Sequence, residues 1–163
     1  MIKFPILRSQ RCILSSIKER ELEELHHIML DDEVKRFLPE FYDIIKSKDD
    51  FNSVIKSFCI LWKDKKAIIW GIYYKKRLVG FIGLLDIPTH TTIFYSTHKD
   101  FRLCGLMTEA ITAVIDYILI HKLSPKVQSE VFQHNYASIR VLTKNGFTQF
   151  NKIGDKIQFH KLL

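Results

Sequence analysis

The chain has 163 residues, a length that suits one domain able to bury a real core. Hydrophobic residues make up 47% and charged residues 26%, which excludes a disordered chain. Lys+Arg at 25 against Asp+Glu at 18 gives a net charge of +7, a balance that suits a polyanionic ligand.

That charge is spread along the chain, with no run of about five or six basic residues, so no nucleic-acid partner is expected. Cys12, Cys59 and Cys104 stand far apart, with no disulfide or metal-ligand spacing. No metal site is expected, and a reducing cytoplasm is the simplest compartment. The first apolar run is too short for a signal peptide, and none approaches a membrane span.

In chain order, Cys12 to Ile17 reads as a strand. Glu19 to Leu30 reads as an amphipathic helix, with Leu22, Leu25, Ile28 and Met29 on one face. Asp31 and Asp32 can cap a short second helix that runs to Phe37 or Leu38, where Pro39 ends it. A third helix spans Asp49 to Trp62 on the apolar stripe Phe51, Val54, Ile55, Phe58 and Leu61. Ala67 to Tyr74 and Leu78 to Ile87 form a hairpin across Lys75-Lys76-Arg77, extended by Ile93 to Thr97 into a meander. Gly80 and Gly83 inside the second strand indicate a bulge or a close backbone approach.

The stretch that organises the chain follows. Ile93 to Thr97 is β-branched and aromatic, and His98 to Asp100 is a polar elbow. Arg102-Leu103-Cys104-Gly105-Leu106-Met107 then leads into a helix with apolar residues at Ala110, Ile111, Val114, Ile115, Ile118 and Leu119. A strand that turns through a glycine into a helix presents unpaired N–H groups at the positive end of the helix dipole. That is a site for a phosphate or pyrophosphate. Gly105 removes the Cβ that would hold a ligand off, and Arg102 adds a forked cation. One glycine alone is weak evidence, since any strand–turn–helix can carry one.

After a break at Ser124-Pro125, Val127 to Phe132 is a further strand. A short helix follows over Asn135-Tyr136-Ala137-Ser138-Ile139-Arg140-Val141-Leu142-Thr143-Lys144, stopped by Asn145-Gly146. Thr148 to Leu163 makes a final hairpin about Gly154-Asp155. Strands and helices that alternate in the middle and mix at the ends indicate an α/β or α+β fold on a mainly antiparallel sheet.

The Arg102–Met107 and Asn135–Phe147 stretches, about 30 residues apart, together resemble the GCN5-related N-acetyltransferase (GNAT) family. The first matches the family pattern Q/R-x-x-G-x-G/A through Arg102 and Gly105, with Met107 in place of the last Gly or Ala. The second matches N-x-x-S-x-R-x-L-x-K-x-G-F almost throughout. The Gly105-Leu106-Met107-Thr108-Glu109-Ala110 run looks most like the branch of ribosomal-protein N-terminal alanine acetyltransferases.

The resemblance implies a mixed, mainly antiparallel sheet with helices on both faces. It is splayed into a V between two parallel strands, those of Ile93 and Val127. It implies acetyl-coenzyme A as co-substrate, bound in the V, with direct acetyl transfer to an amine. Tyr95, Ser96 and Thr97 would meet the thioester and pantetheine with backbone groups, the Tyr95 N–H polarising the carbonyl. Arg102, Leu103, Cys104, Gly105, Leu106, Met107 and Thr108 would hold the pyrophosphate. Asn135 would bind the pantetheine amide. Ser138 would help protonate the departing thiolate, because Leu142 stands where many members carry a tyrosine for that step. Ser138 read structurally is a helix-start hydroxyl that only caps.

Glu130 is the first candidate for general base, through a water; as a structural residue it is a surface carboxylate. Asp86, His90 and His98 are further candidates that also read as loop residues. Glu109 reads as structural or as an acceptor that orders the loop. Cys104 stands where many members have a basic residue. The resemblance also implies that relatives carry a longer segment after Gly146-Phe147.

The expected activity is acetyl transfer to a primary amine, first a protein N-terminal amine of the ribosomal-protein type. A polyamine, amino acid or aminoglycoside is the alternative. An acyl-coenzyme-A binding module without catalysis, or a basic nucleic-acid binder, belongs to a different class. The protein would act as a monomer or homodimer with no membrane partner.

Overall fold

The computed structural model describes residues 3–163. Two short strands, β1 (Leu7–Arg8) and β2 (Cys12–Ser15), open the chain. Four helices follow: α1 (Leu22–Met29), α2 (Asp32–Phe37), α3 (Pro39–Ile44) and α4 (Lys48–Lys63). The meander is β3 (Ile68–Tyr74), β4 (Arg77–Leu85) and β5 (Thr92–Thr97). Then come α5 (Leu106–His121), β6 (Lys126–Phe132) and α6 (Tyr136–Lys144). The hairpin β7 (Thr148–Ile153) and β8 (Lys156–Leu162) ends the chain.

The eight strands form one sheet in the order β1-β2-β3-β4-β5-β6-β8-β7, antiparallel except for the β5–β6 pair. Alternation along the strands sends side chains to two cores. Ile68, Trp70 and Ile72 of β3 join the α5 side, with Ala110, Ile111, Val114 and Ile118. Ala67 and Ile69 join the opposite core, with Leu25, Ile28, Phe51 and Phe58 from α1 and α4. Helices therefore cover both faces, and the α/β sandwich expected of the chain is the fold that forms.

The glycines of β4 set the course of β5. The β3–β4 register shifts between Ile72 and Tyr73, opposite Val79-Gly80. A Cβ on Gly80 would lie 2.4 Å from the Ser96 carbonyl oxygen, and one on Gly83 would lie 2.2 Å from the Phe94 ring. Both the bulge and the close approach are present, and they let β5 lie tight against β4.

Three elements depart from the sequence reading. Strand β1 is too short to leave a pattern. A single 3-10 turn over Glu19–Glu21 precedes α1, so the α-helix proper begins at Leu22. Pro39 ends α2 and also starts α3, because proline is well suited to the first helical position, where its missing N–H is no loss.

Candidate active site

The cleft follows from a broken ladder. Strands β5 and β6 pair only where Thr92 stands opposite Gln128. There the Gln128 N–H donates to the Thr91 carbonyl at 2.8 Å, and Ser129 Oγ donates to the Ile93 carbonyl at 3.3 Å. Beyond that point β5 pairs only with β4 and β6 only with β8. The edges that face each other keep backbone groups available for a ligand. The opening is a cleft of about 480 Å³, lined by Ile93 to Thr97 on one side and Ser129 to Val131 on the other.

The N-terminus of α5 points into the cleft. Gly105 is its cap residue, with φ +80°, and no side chain caps the helix. The first N–H to find an intrahelical partner is that of Glu109, which donates to the Gly105 carbonyl. Leu106, Met107 and Thr108 therefore bring uncapped N–H groups to the wall they line. Leu103 holds a left-handed φ of +60° and is 90% exposed. A branched side chain in that conformation is strained by roughly 1 kcal/mol. An uncapped dipole end beside a glycine leaves room for backbone contact with an anion such as a pyrophosphate.

The loop is braced from outside. Arg11 donates from Nε to Glu109 Oε1 at 2.6 Å and from Nη2 to the Cys104 carbonyl at 2.8 Å. Ser9 Oγ and the Arg11 N–H donate to Glu109 Oε2. Burial works to raise the pKa of Glu109, but these bonds outweigh it and hold the carboxyl below the ordinary range. Glu109 is thus the acceptor that orders the loop. Cys104 lies outside the cleft lining, and its Sγ contacts the Arg102 carbonyl at 3.3 Å.

Helix α6 supplies the other wall. Asn135 caps it, with Oδ1 accepting from the Ser138 N–H at 3.2 Å. The cap is therefore Asn135, and Ser138, which also lines the cleft, does not cap the helix with its hydroxyl. Leu142 is fully buried in the α5-side core. The Tyr95 hydroxyl is buried without a hydrogen-bond partner among the described residues. Burial pushes its pKa well up, with the Ser138 hydroxyl as the nearby group that works the other way.

Of the four candidates for a base, Glu130 alone lines the cleft. Its Oε1 pairs with Lys156 Nζ at 3.1 Å, and Lys156 also reaches Glu40 at 3.1 Å. His98 sits on another face, accepting from the Asp100 N–H at 3.2 Å. Asp86 and His90 are exposed loop residues outside the cleft.

Glu33 lines the cleft, in the segment that the resemblance implies frames the acceptor entrance together with Asp31, Asp32 and Glu40. Other lining residues escaped the sequence reading: Phe37 and Leu38 at the end of α2, and Arg140 and Lys144 from α6. Phe37 and Leu38 looked like the close of a capped helix, and only the packing of α2 across the V brings them to the cleft. Asn145 does more than stop α6: its Nδ2 donates to the carbonyls of Thr108 and Val141, and Thr112 Oγ1 donates to its Oδ1. It ties the start of α5 to the end of α6.

The family model described as Acetyltransferase (GNAT) domain matches residues 11–148. The chain is 31% identical over 149 residues to the uncharacterized N-acetyltransferase YoaA of Bacillus subtilis (strain 168), covering 88% of this chain and 83% of that protein. Among solved structures, it is similar to RimL, a ribosomal L7/L12 alpha-N-protein acetyltransferase in complex with coenzyme A. That likeness has a TM-score of 0.87 at 16% identity and covers 98% of each chain. The acetyltransferase from Salmonella typhimurium that modifies the N-terminal serine of L7/L12 matches at a TM-score of 0.82 and 17% identity, over 98% of this chain and 99% of that one. The microcin C7 self-immunity acetyltransferase MccE, in complex with acetyl-CoA and AMP, matches at a TM-score of 0.76 and 20% identity, over 94% of this chain and 93% of that one. The chain belongs to the GNAT acetyltransferase family and is an acyltransferase enzyme.

Proposed function

We propose that the protein transfers an acetyl group from acetyl-CoA to a primary amine, and that the acceptor is a protein N-terminal amine of the ribosomal-protein type. The observation that carries the reading is the β5–β6 ladder, which ends after Thr92–Gln128 and opens onto the uncapped start of α5. The likeness to RimL over 98% of the chain supports the choice of acceptor.

Acetyl-CoA supplies an activated thioester. The N–H groups of Leu103 and of Gly105 to Thr108 bind its pyrophosphate, and Arg140 and Lys144 add positive charge on the rim. The backbone of Tyr95, Ser96 and Thr97 meets the pantetheine and thioester, with the Tyr95 N–H directed to the carbonyl oxygen. Asn135 offers its side-chain amide to the pantetheine. Ser138 gives the proton that the departing sulfur needs. Glu130 takes the amine proton through a water while Lys156 holds it in place.

A small amine is the second reading, favoured by the aromatic and aliphatic lining of Phe37, Leu38 and Phe94. Thiol release from acetyl-CoA, measured with a panel of peptides, polyamines and amino acids, tests the activity. Release that depends on an amine supports transfer. Coenzyme binding with no release on any amine makes the protein a binding module instead.

A further inference from the structure

The guanidinium of Arg102 is engaged on three sides. Nη2 meets Asp31 Oδ1 at 2.8 Å, Nη1 meets Glu33 Oε2 at 2.9 Å, and Nε donates to the Thr97 carbonyl at 3.2 Å. These bonds join three segments: the end of β5, the loop before α5 and the start of α2. The side chains of Arg102 and Asp31 are 24% and 18% exposed, so the pair is partly shielded from solvent. Asp31 Oδ1 also accepts from the Glu33 N–H at 3.0 Å, so one oxygen caps α2 and holds Arg102. Burial would raise the pKa of Asp31, but the bonds from Arg102 and the Glu33 amide prevail and keep it ionised.

Helix α2 needs such an anchor. It has six residues, and Val34 is its one fully buried side chain. A helix this short has little stability of its own. Yet its Glu33, Val34 and Phe37, with the following Leu38, line the cleft. With its two terminal nitrogens on carboxylates, Arg102 is poorly placed to serve a phosphate as well.

We propose that Arg102 is a positioning residue that fastens the acceptor-side helix α2 to the cofactor loop, while the backbone N–H groups of the loop hold the anion. It follows that cofactor binding orders the acceptor wall through this link. The inference rests on the acetyl-CoA reading of the cleft only for that last step.

The test pairs amide hydrogen exchange over residues 32–44 with calorimetry of coenzyme A binding. The proteins are the wild type, Arg102→Ala, Arg102→Lys, Asp31→Asn and Glu33→Gln. Asparagine keeps an oxygen that can cap α2, so Asp31→Asn removes the charge without removing the cap. Without ligand, exchange in α2 should speed at least tenfold in Arg102→Ala and Asp31→Asn. Arg102→Lys should fall between, because an ammonium cannot fork to two carboxylates while also reaching Thr97. Coenzyme A should slow exchange in α2 of the wild type but not in those two variants, and its affinity for Arg102→Ala should stay within threefold of the wild type. Unchanged α2 exchange in both variants would overturn the link. So would a tenfold or greater loss of coenzyme affinity in Arg102→Ala with tighter binding in Asp31→Asn, since that pattern belongs to a phosphate ligand released from a competitor. A wild type that binds no coenzyme A would defeat the functional reading alone, because the ligand-free exchange still decides the link.

Discussion

Arg11 and Glu109, 98 positions apart, meet through a 2.6 Å bond between Nε and Oε1. The pair carries the turn between β1 and β2 across to the first turn of α5. The same guanidinium holds the Cys104 carbonyl at 2.8 Å, so the loop before α5 is shaped from behind by residues that never face the cleft. Preorganisation of this kind lowers the ordering needed when an anion binds. Arg11→Ala and Glu109→Ala should each weaken coenzyme A binding by about threefold to tenfold, the range that one or two lost hydrogen bonds convert to. The double variant should be little worse than either single one, because the two residues act as a unit. Calorimetry on the four proteins checks this.

Gly105 combines a φ of +80° with the cap position of α5. A Cβ there would lie 3.3 Å from Arg11 Nη2 and would stand in a left-handed conformation that L side chains rarely adopt. Gly105→Val should abolish coenzyme A binding while the far-ultraviolet circular dichroism stays that of the wild type. Unchanged affinity would place the anion elsewhere.

Ser138 lines the cleft with a hydroxyl that caps nothing, and the buried Tyr95 hydroxyl lies near it. Ser138→Ala should lower kcat by tenfold or more, with a smaller rise in KM for acetyl-CoA. An equal kcat with weaker cofactor binding would make Ser138 a positioning residue. Full activity and full binding would remove it from the chemistry.

Several carboxylates sit below their ordinary pKa. Asp31, Glu40 and Glu109 are partnered by Arg102, Lys156 and Arg11 respectively. For Asp31 and Glu109 desolvation is the largest single effect, and it is outweighed by the partner's bonds together with those from the Glu33 N–H in one case and from Ser9 and the Arg11 N–H in the other; for Glu40 the Lys156 bond leads. A depressed native pKa stabilises the fold above the unfolded value, near pH 4, and that contribution is lost as pH falls through the native value. The melting temperature should therefore be flat from pH 7 to about pH 5 and fall steeply below pH 4. Glu109→Gln should melt lower at neutral pH and lose less on acidification. Parallel curves for the two proteins would contradict this.

Much of the frame was legible in the sequence because it rests on local signals. Gly105 marked the start of α5, and the β3–β4–β5 meander follows from alternation between turns, whereas the cap of α6 read as Ser138 and lies at Asn135. Gly80 and Gly83 announced a close approach, and the packing of Ser96 and Phe94 against them explains why. What stayed hidden depends on contacts between distant segments. No spacing rule joins Arg11 to Glu109, Asn145 to Thr108, or Arg102 to Asp31. The charge of Arg102 read as a phosphate contact, and the structure shows it bonded to α2, because α2 crosses the V and brings two carboxylates beside it. Glu130 looked like an isolated strand carboxylate until β8 brought Lys156 alongside.

The central claim is acetyl transfer to a protein N-terminal amine in the cleft between β5 and β6. The most direct measurement is a competition. The enzyme receives acetyl-CoA with an equimolar mixture of peptides bearing free N-termini, including internal lysines, and spermidine. Mass spectrometry then locates every acetyl group. The account predicts acetylation on the peptide α-amine, none on lysine side chains, and loss of that product in Gly105→Val. Preference for spermidine by two orders of magnitude or more, or acetyl groups confined to lysine side chains, would contradict it.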